Sequence, residues 1–103
     1  MTAFATGVDR LLNRVGHWEQ ARWWSRSRPG GPTRADEMYA LVQRLADLGA
    51  DAEHRDRREV PRIGDLSLPD QLRVMADDLM AADPPAELLA EAEAAVEAAR
   101  CAL

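Results

Sequence analysis

Apolar residues recur three or four positions apart in four separate stretches of the chain, and this spacing limits the fold more than any other feature. An α-helix turns about 100° per residue, so residues at this spacing share one face, whereas a half-buried strand alternates at every second position. Proline and glycine clusters separate the stretches. The sequence therefore predicts an all-α protein with helices over about 7–24, 34–58, 68–82 and 84–102.

The composition agrees with this interpretation. The chain of 103 residues is 47% hydrophobic and 30% charged, as in a globular protein, and it contains only one isoleucine, six valines and three threonines. Its length is sufficient for one ordinary core, so we expect a single domain over 1–103.

Short connections between the helices predict a four-helix, mostly antiparallel bundle. A longer, irregular link over 59–66 separates the second and third predicted helices, and Val60 and Ile63 are expected to hold it against the bundle. The alternative is a helical hairpin that is completed only in a dimer.

Each predicted helix begins with residues that can satisfy its first free amide groups. Thr6, Thr33 and Ser67 each precede an aspartate by three positions, as in a capping box. Asp83 precedes two prolines, which suit the first helical turn because no amide hydrogen is needed there. These signals, each opening a periodic apolar segment, support the four-helix prediction.

All three tryptophans lie in the first predicted helix. In one interpretation Trp18 belongs to the core, Trp23 lies at its margin, and Trp24 bends inward where the helix ends. In the other, Trp24 and His17, one heptad apart, form part of a partner-binding face, since tryptophan is enriched at binding hot spots. Gly16 interrupts the same helix and indicates either close packing or a kink.

Charge is unevenly distributed along the chain, whose net charge is −5. Residues 1–34 hold six arginines and two acids, a net charge of +4, whereas the remainder holds seven arginines and sixteen acids, a net charge of −9. This polarity suggests head-to-tail self-association or an oriented encounter with a partner. It disfavours nucleic-acid binding by the whole domain, although the arginine-rich loop 25–32 beside the tryptophans could hold a phosphate backbone.

Several classes of chemistry lack the residues that they need. All 13 basic residues are arginine, which is typical of a GC-rich bacterial genome and excludes a Schiff-base or phosphate-loop lysine. Cys101 is the only cysteine, which excludes an internal disulfide and a multi-cysteine zinc site. The Asp51–His54 spacing of a bundle metal site occurs once instead of twice. We therefore expect a non-enzymatic protein with no catalytic residue, metal, cofactor or small-molecule ligand.

The sequence also lacks the signals of a membrane or secreted protein. No apolar run approaches the roughly 20 residues that span a bilayer. The first ten residues have neither the basic region nor the apolar region of a signal peptide. We expect a cytoplasmic protein that makes no membrane contact.

These observations favour a small interaction, adaptor or regulatory module that binds another protein or itself, with a homodimer as one form. Its contact surface would be formed by the first helix and the loop that follows. The alternative is a transcriptional or nucleic-acid-associated regulator that contacts phosphate through the arginine-rich loop. The residues predicted to bind the partner are His17, Trp23, Trp24, Arg26 and Arg28.

Overall fold

The structure is a computed structural model that describes residues 2–103, which form an all-α fold. Four helices are long and one is short, and a 3₁₀ turn over Asp65–Ser67 precedes the fourth helix. An isolated antiparallel bridge joins Arg26 to Thr33. The helices are α1 Ala3–Val15, α2 Gln20–Trp24, α3 Arg34–Ala52, α4 Leu68–Ala81 and α5 Ala86–Ala102.

Helix α3 is at the centre of the packing because it contacts α4, α5 and the short α2, while α1 lies against α5 and α4. Each long helix contributes one apolar face to a common core, as the periodicity predicts. The prediction of an all-α fold with four long packed helices is therefore confirmed. The largest fully buried side chains are Trp23, Phe4, Leu11, Met38, Leu45, Leu48, Leu68, Leu72, Leu79, Val8, Val15 and Val42.

The first helix begins earlier than the sequence predicts. Its N-cap is Thr2, whose hydroxyl oxygen accepts a hydrogen bond from the amide of Ala5 at 3.0 Å, so the predicted start at Thr6 is wrong. Phe4 lies inside the helix and is buried in the core. Burial of this ring stabilises the additional turn, which the pattern after residue 7 did not show.

The predicted continuous helix over 7–24 is also wrong, because the helix ends at Val15 and α2 starts only at Gln20. Gly16 lies at the break, where its poor helix propensity lowers the cost of leaving the helix. Trp18 and Trp23 then pack edge to face, with ring centroids 4.9 Å apart and ring planes at 61°. The change of chain direction is what brings these two indole rings together.

The second predicted helix ends at Ala52 and not at Arg58. His54 has a left-handed backbone conformation (φ 56°), and the amide of Arg55 donates to the carbonyl of Ala50 at 3.0 Å, as in a helix C-cap. The four-residue spacings of Asp51 with Arg55 and of Glu53 with Arg57, typical of helical ion pairs, give no such pairs here, because the helix has already ended. Instead, the guanidinium of Arg57 turns back onto the carboxylate of Asp51, with contacts of 3.0 and 2.7 Å.

The segment between α3 and α4, residues 53–64 (the link), has no regular structure, yet the bundle holds it closely. Val60 is buried; its amide donates to Gln43 at 2.8 Å, and its carbonyl accepts from the hydroxyl of Tyr39. The side-chain amide of Gln71 donates to the carbonyl of Pro61 at 2.8 Å. Val60 therefore holds the link as predicted, whereas Ile63 is 69% exposed and does not.

The capping predictions have mixed outcomes. Thr33 and Asp36 form a complete capping box at the start of α3. Ser67 makes no side-chain cap bond, because a 3₁₀ turn leads directly into α4. Helix α5 starts after Pro85 and has no side-chain cap bond from Asp83.

In residues 2–103, no helix is both long enough and apolar enough to cross a bilayer.

Two glycine-to-alanine substitutions should have opposite effects on stability. A Cβ at Gly49 in α3 would meet no atom within 4 Å, so Gly49→Ala should raise the free energy of unfolding by up to about 1 kcal/mol through helix propensity. A Cβ at Gly16 would lie 2.8 Å from the carbonyl oxygen of Leu12, so Gly16→Ala should lower it. Urea denaturation followed by circular dichroism measures both. Equal effects at the two positions would contradict the break at Gly16.

The capping box predicts a pH-dependent stability. The hydrogen bond from the amide of Thr33, and then the side chain of Arg62, lower the pKa of Asp36 below its ordinary value of 3.8. Because the folded-state pKa is the lower one, this stabilisation is present above pH 3.8 and is lost as the pH falls through the folded-state value.

Asp36→Asn should therefore lower the free energy of unfolding at pH 7, by up to about 1 kcal/mol, and this difference should shrink toward pH 2. Urea titrations at several pH values measure it. Asp56→Asn, at an exposed position of the link, is the control for loss of one negative charge. A difference that stays constant with pH would rule out a contribution from the Asp36 carboxylate.

Candidate interaction surface

Helix α2 sends its two adjacent tryptophans in opposite directions. Trp23 is completely buried in the core, and Trp24 is 63% exposed. The inclusion of Trp23 among the partner-binding residues is therefore corrected, because its buried ring offers no surface to a partner. Trp24 does not bend inward, so that interpretation of its position is also wrong.

The exposed indole of Trp24 is held in one orientation by Asp65. Its Nε1 donates a hydrogen bond to Oδ2 of Asp65 at 3.1 Å, and Nε2 of Gln20 donates to the same oxygen at 2.8 Å. Gln20 and Trp24 are four positions apart, so they lie on the same side of α2. One carboxylate thus joins α2 to the 3₁₀ turn before α4 and leaves most of the indole ring in solvent.

Arg62 extends this connection to the start of α3. Its Nη2 lies 3.7 Å from Oδ1 of Asp65 and 2.9 Å from Oδ1 of Asp36, and its guanidinium lies over the ring of Tyr39 at 5.1 Å. Three segments of the chain that are distant in sequence therefore meet around Asp65. This arrangement orients the end of the link that approaches Trp24.

The large apolar side chains that are most exposed within residues 2–103 lie on the link or on the elements attached to it. Ile63 is in the link, Leu66 is next to Asp65, and Trp24 is bonded to Asp65. Val74 lies one turn after Gln71, whose amide is bonded to the link. We call these four exposed residues, Trp24, Ile63, Leu66 and Val74, the link face, because each lies on the link or on an element bonded or adjacent to it.

The structure separates His17 from Trp24. Because the helix breaks at Gly16, the two residues no longer share a helix face. His17 is exposed beside a shallow depression that is also lined by Trp18 and Arg22, whose guanidinium lies 4.9 Å from the centre of the Trp18 ring. His17 is therefore not part of the link face.

Arg26 and Arg28 lie on the turn that follows α2. Arg26 pairs with Thr33 through the backbone bridge, and its Nε donates to the carbonyl of Gly31 at 2.7 Å. The side chain of Arg28 folds over Gly31, where it would contact an added Cβ. Both arginines are exposed, and no ion pair within residues 2–103 includes either of them. Arg26 is thus held two residues after Trp24 with its positive charge uncompensated.

Arg34, the first residue of α3, has a structural role. Its Nε donates to the carbonyl of Leu103 at 3.1 Å, and its Nη1 donates to the hydroxyl of Ser25 at 2.7 Å. This side chain joins the start of α3 to the end of the chain and to α2. Arg34 therefore does not add a free cation to the neighbouring arginine-rich loop.

A groove of about 260 Å³ lies between α3, α4 and the link. Gly49 and Met75 line its apolar part, while Arg58 and Asp78 lie at its edge.

In the part of the chain that the structure describes, no three histidine, cysteine or carboxylate side chains are grouped as a metal site would require.

The sequence did not identify Asp65, Ile63 or Leu66 as surface residues of interest. An aspartate before a helix is usually assigned to capping, and an apolar residue in a link is usually assigned to the core. The only available signal was Gly64, a helix breaker between Ile63 and Asp65, and its φ of 145° requires glycine.

No protein family, curated protein or solved structure that we compared matches this chain. Any statement about function therefore rests on the geometry of the surface.

The two tryptophans should differ sharply in their effect on stability. Trp23→Ala removes a fully buried ring and should lower the free energy of unfolding by about 3–5 kcal/mol. Trp24→Ala loses one partly solvated hydrogen bond and should cost less than about 1 kcal/mol. Urea denaturation measures both changes in stability. Acrylamide quenching should show that Trp24 is the most accessible of the three tryptophans. Similar losses of stability would contradict the assignment of these two rings.

Proposed function

We propose that this protein is a non-enzymatic interaction module that binds a protein partner through Trp24 and Arg26. The observation that carries the proposal is the fixed exposure of Trp24: its indole N–H is bonded to Asp65, while 63% of the residue remains accessible. A rigid aromatic side chain of this kind offers a large contact area at little cost in conformational entropy.

Arg26 supports the same surface. It follows Trp24 closely, and its backbone is held by the bridge to Thr33. Its guanidinium retains several N–H groups for an acidic partner, since Nε alone donates to the carbonyl of Gly31. A partner that matches this site would place an apolar side chain on the indole ring and a carboxylate beside the arginine.

A photo-crosslinking amino acid at position 24 tests the proposal in cells that produce the protein naturally. We expect crosslinked protein adducts from position 24 and few or none from Ala94, an exposed position on α5. Arg26→Ala should reduce the adducts at position 24 by about tenfold, the loss of one hot-spot contact. Circular dichroism checks that each variant folds.

The proposal fails if position 24 gives no more protein adducts than position 94. Crosslinks to nucleic acid alone, lost steeply as the salt concentration rises, would instead favour the regulator that contacts phosphate.

A further inference from the structure

We infer that the partner of the link face is the link face of a second copy of this chain, related to the first by a two-fold axis near Ile63. This inference rests on the proposed function and names the partner as the chain itself. A two-fold interface uses the same patch on both copies, so the patch must be complementary to itself in shape, polarity and charge.

The apolar part of the link face meets this requirement. Single exposed apolar residues are normal on a protein surface, but here Ile63, Leu66 and Trp24 are 69%, 60% and 63% exposed and belong to segments that contact one another. Ile63 is the most exposed of the three, and it lies between Pro61 and Asp65, which are both hydrogen-bonded to the bundle. It is therefore the natural centre of an apolar contact between two copies.

The backbone beneath this surface is already held in place. Val60 and Pro61, in the second half of the link, are hydrogen-bonded to α3 and α4, and Asp65, directly after the link, is bonded to α2. Only a short segment lies between these anchors. Little conformational entropy is lost when such a surface binds, which favours association.

Charge gives the two copies their relative orientation. Arg26 and Arg28, which follow Trp24 in the chain, are exposed and have no acidic partner within residues 2–103. The exposed acids Asp70, Asp77 and Asp78, three or four positions from Val74 on α4, likewise take part in no ion pair of the described chain. A two-fold dimer in which the arginines after Trp24 of one copy face the acids around Val74 of the other would pair these charges.

The size of the molecule is compatible with this arrangement. A standard interface buries about 800 Å² on each partner, whereas this chain exposes 5973 Å² in a body that measures 37 × 27 × 22 Å. In the inferred dimer, the exposed apolar residues would form the interface core and the charged residues its polar rim.

Sedimentation equilibrium of the full chain over a wide concentration range, at low and high salt, is the first test. We expect a dimer of the 11.4 kDa chain whose dissociation constant rises as the salt concentration rises. Ile63→Asp should raise this constant by at least about tenfold, because it places two carboxylates at the axis. Ala94→Asp on α5 should leave it unchanged and is the matched control.

A charge exchange tests the orientation. Arg26→Glu and Asp77→Arg should each weaken the dimer by about tenfold, and the two changes together should restore most of the affinity. In a Cys101→Ser background, which removes the exposed natural thiol, Ile63→Cys should form an intermolecular disulfide under mild oxidation. Ala94→Cys should not.

Three results would overturn the inference: a monomer at all concentrations, a dimer that Ile63→Asp does not weaken, or charge variants whose effects simply add. None of these results by itself ends the proposed function, which is judged by protein crosslinks from position 24. If the protein is monomeric but position 24 still gives protein crosslinks, its partner is a different chain. If it is monomeric and position 24 gives no protein crosslinks, the proposed function fails as well.

Discussion

Burial of the Trp23 ring is the interaction on which the arrangement of the first 34 residues depends. The indole Nε1 is buried and has no hydrogen-bond partner within the described residues, an arrangement that costs about 1–3 kcal/mol. Burying roughly 200 Å² of aromatic surface contributes about 5 kcal/mol, so the hydrophobic term is larger. To reach this position the chain must leave the helix at Gly16 and start again at Gln20. The exposure of Trp24 agrees with this, because adjacent helical residues project about 100° apart and α2 has the core on one side only.

The second determinant is the carboxylate of Asp65. It accepts hydrogen bonds from α2 and lies near Arg62, which also reaches the first turn of α3. These contacts are partly solvated, and exposed ion pairs contribute little to stability. Their main effect is geometric, since they hold the irregular link against the bundle in an orientation that leaves Ile63 and Leu66 in solvent.

The uneven charge of the sequence gains a spatial meaning in this fold. The basic N-terminal third includes Arg26 and Arg28, and the acidic remainder includes Asp70, Asp77 and Asp78 of α4; all five are exposed and take part in no ion pair of the described residues. A linear pattern of charge could not establish this, because two oppositely charged parts of a chain can equally well neutralise each other within one molecule. Here Arg26 makes its side-chain hydrogen bond to a backbone carbonyl and leaves its charge without an acidic partner in the described chain.

The sequence by itself determined the helical class, the faces of α3, α4 and α5 that enter the core, and the capping box at Thr33, since each depends on residues within one or two turns of each other. Tertiary structure alone decided which tryptophan is buried and which of Val60 and Ile63 faces the core. In both cases one of two apolar residues close in sequence is buried and the other is exposed. The outcome depends on hydrogen bonds and packing with residues about 20 to 40 positions away, such as Tyr39 and Asp65, which local periodicity cannot show.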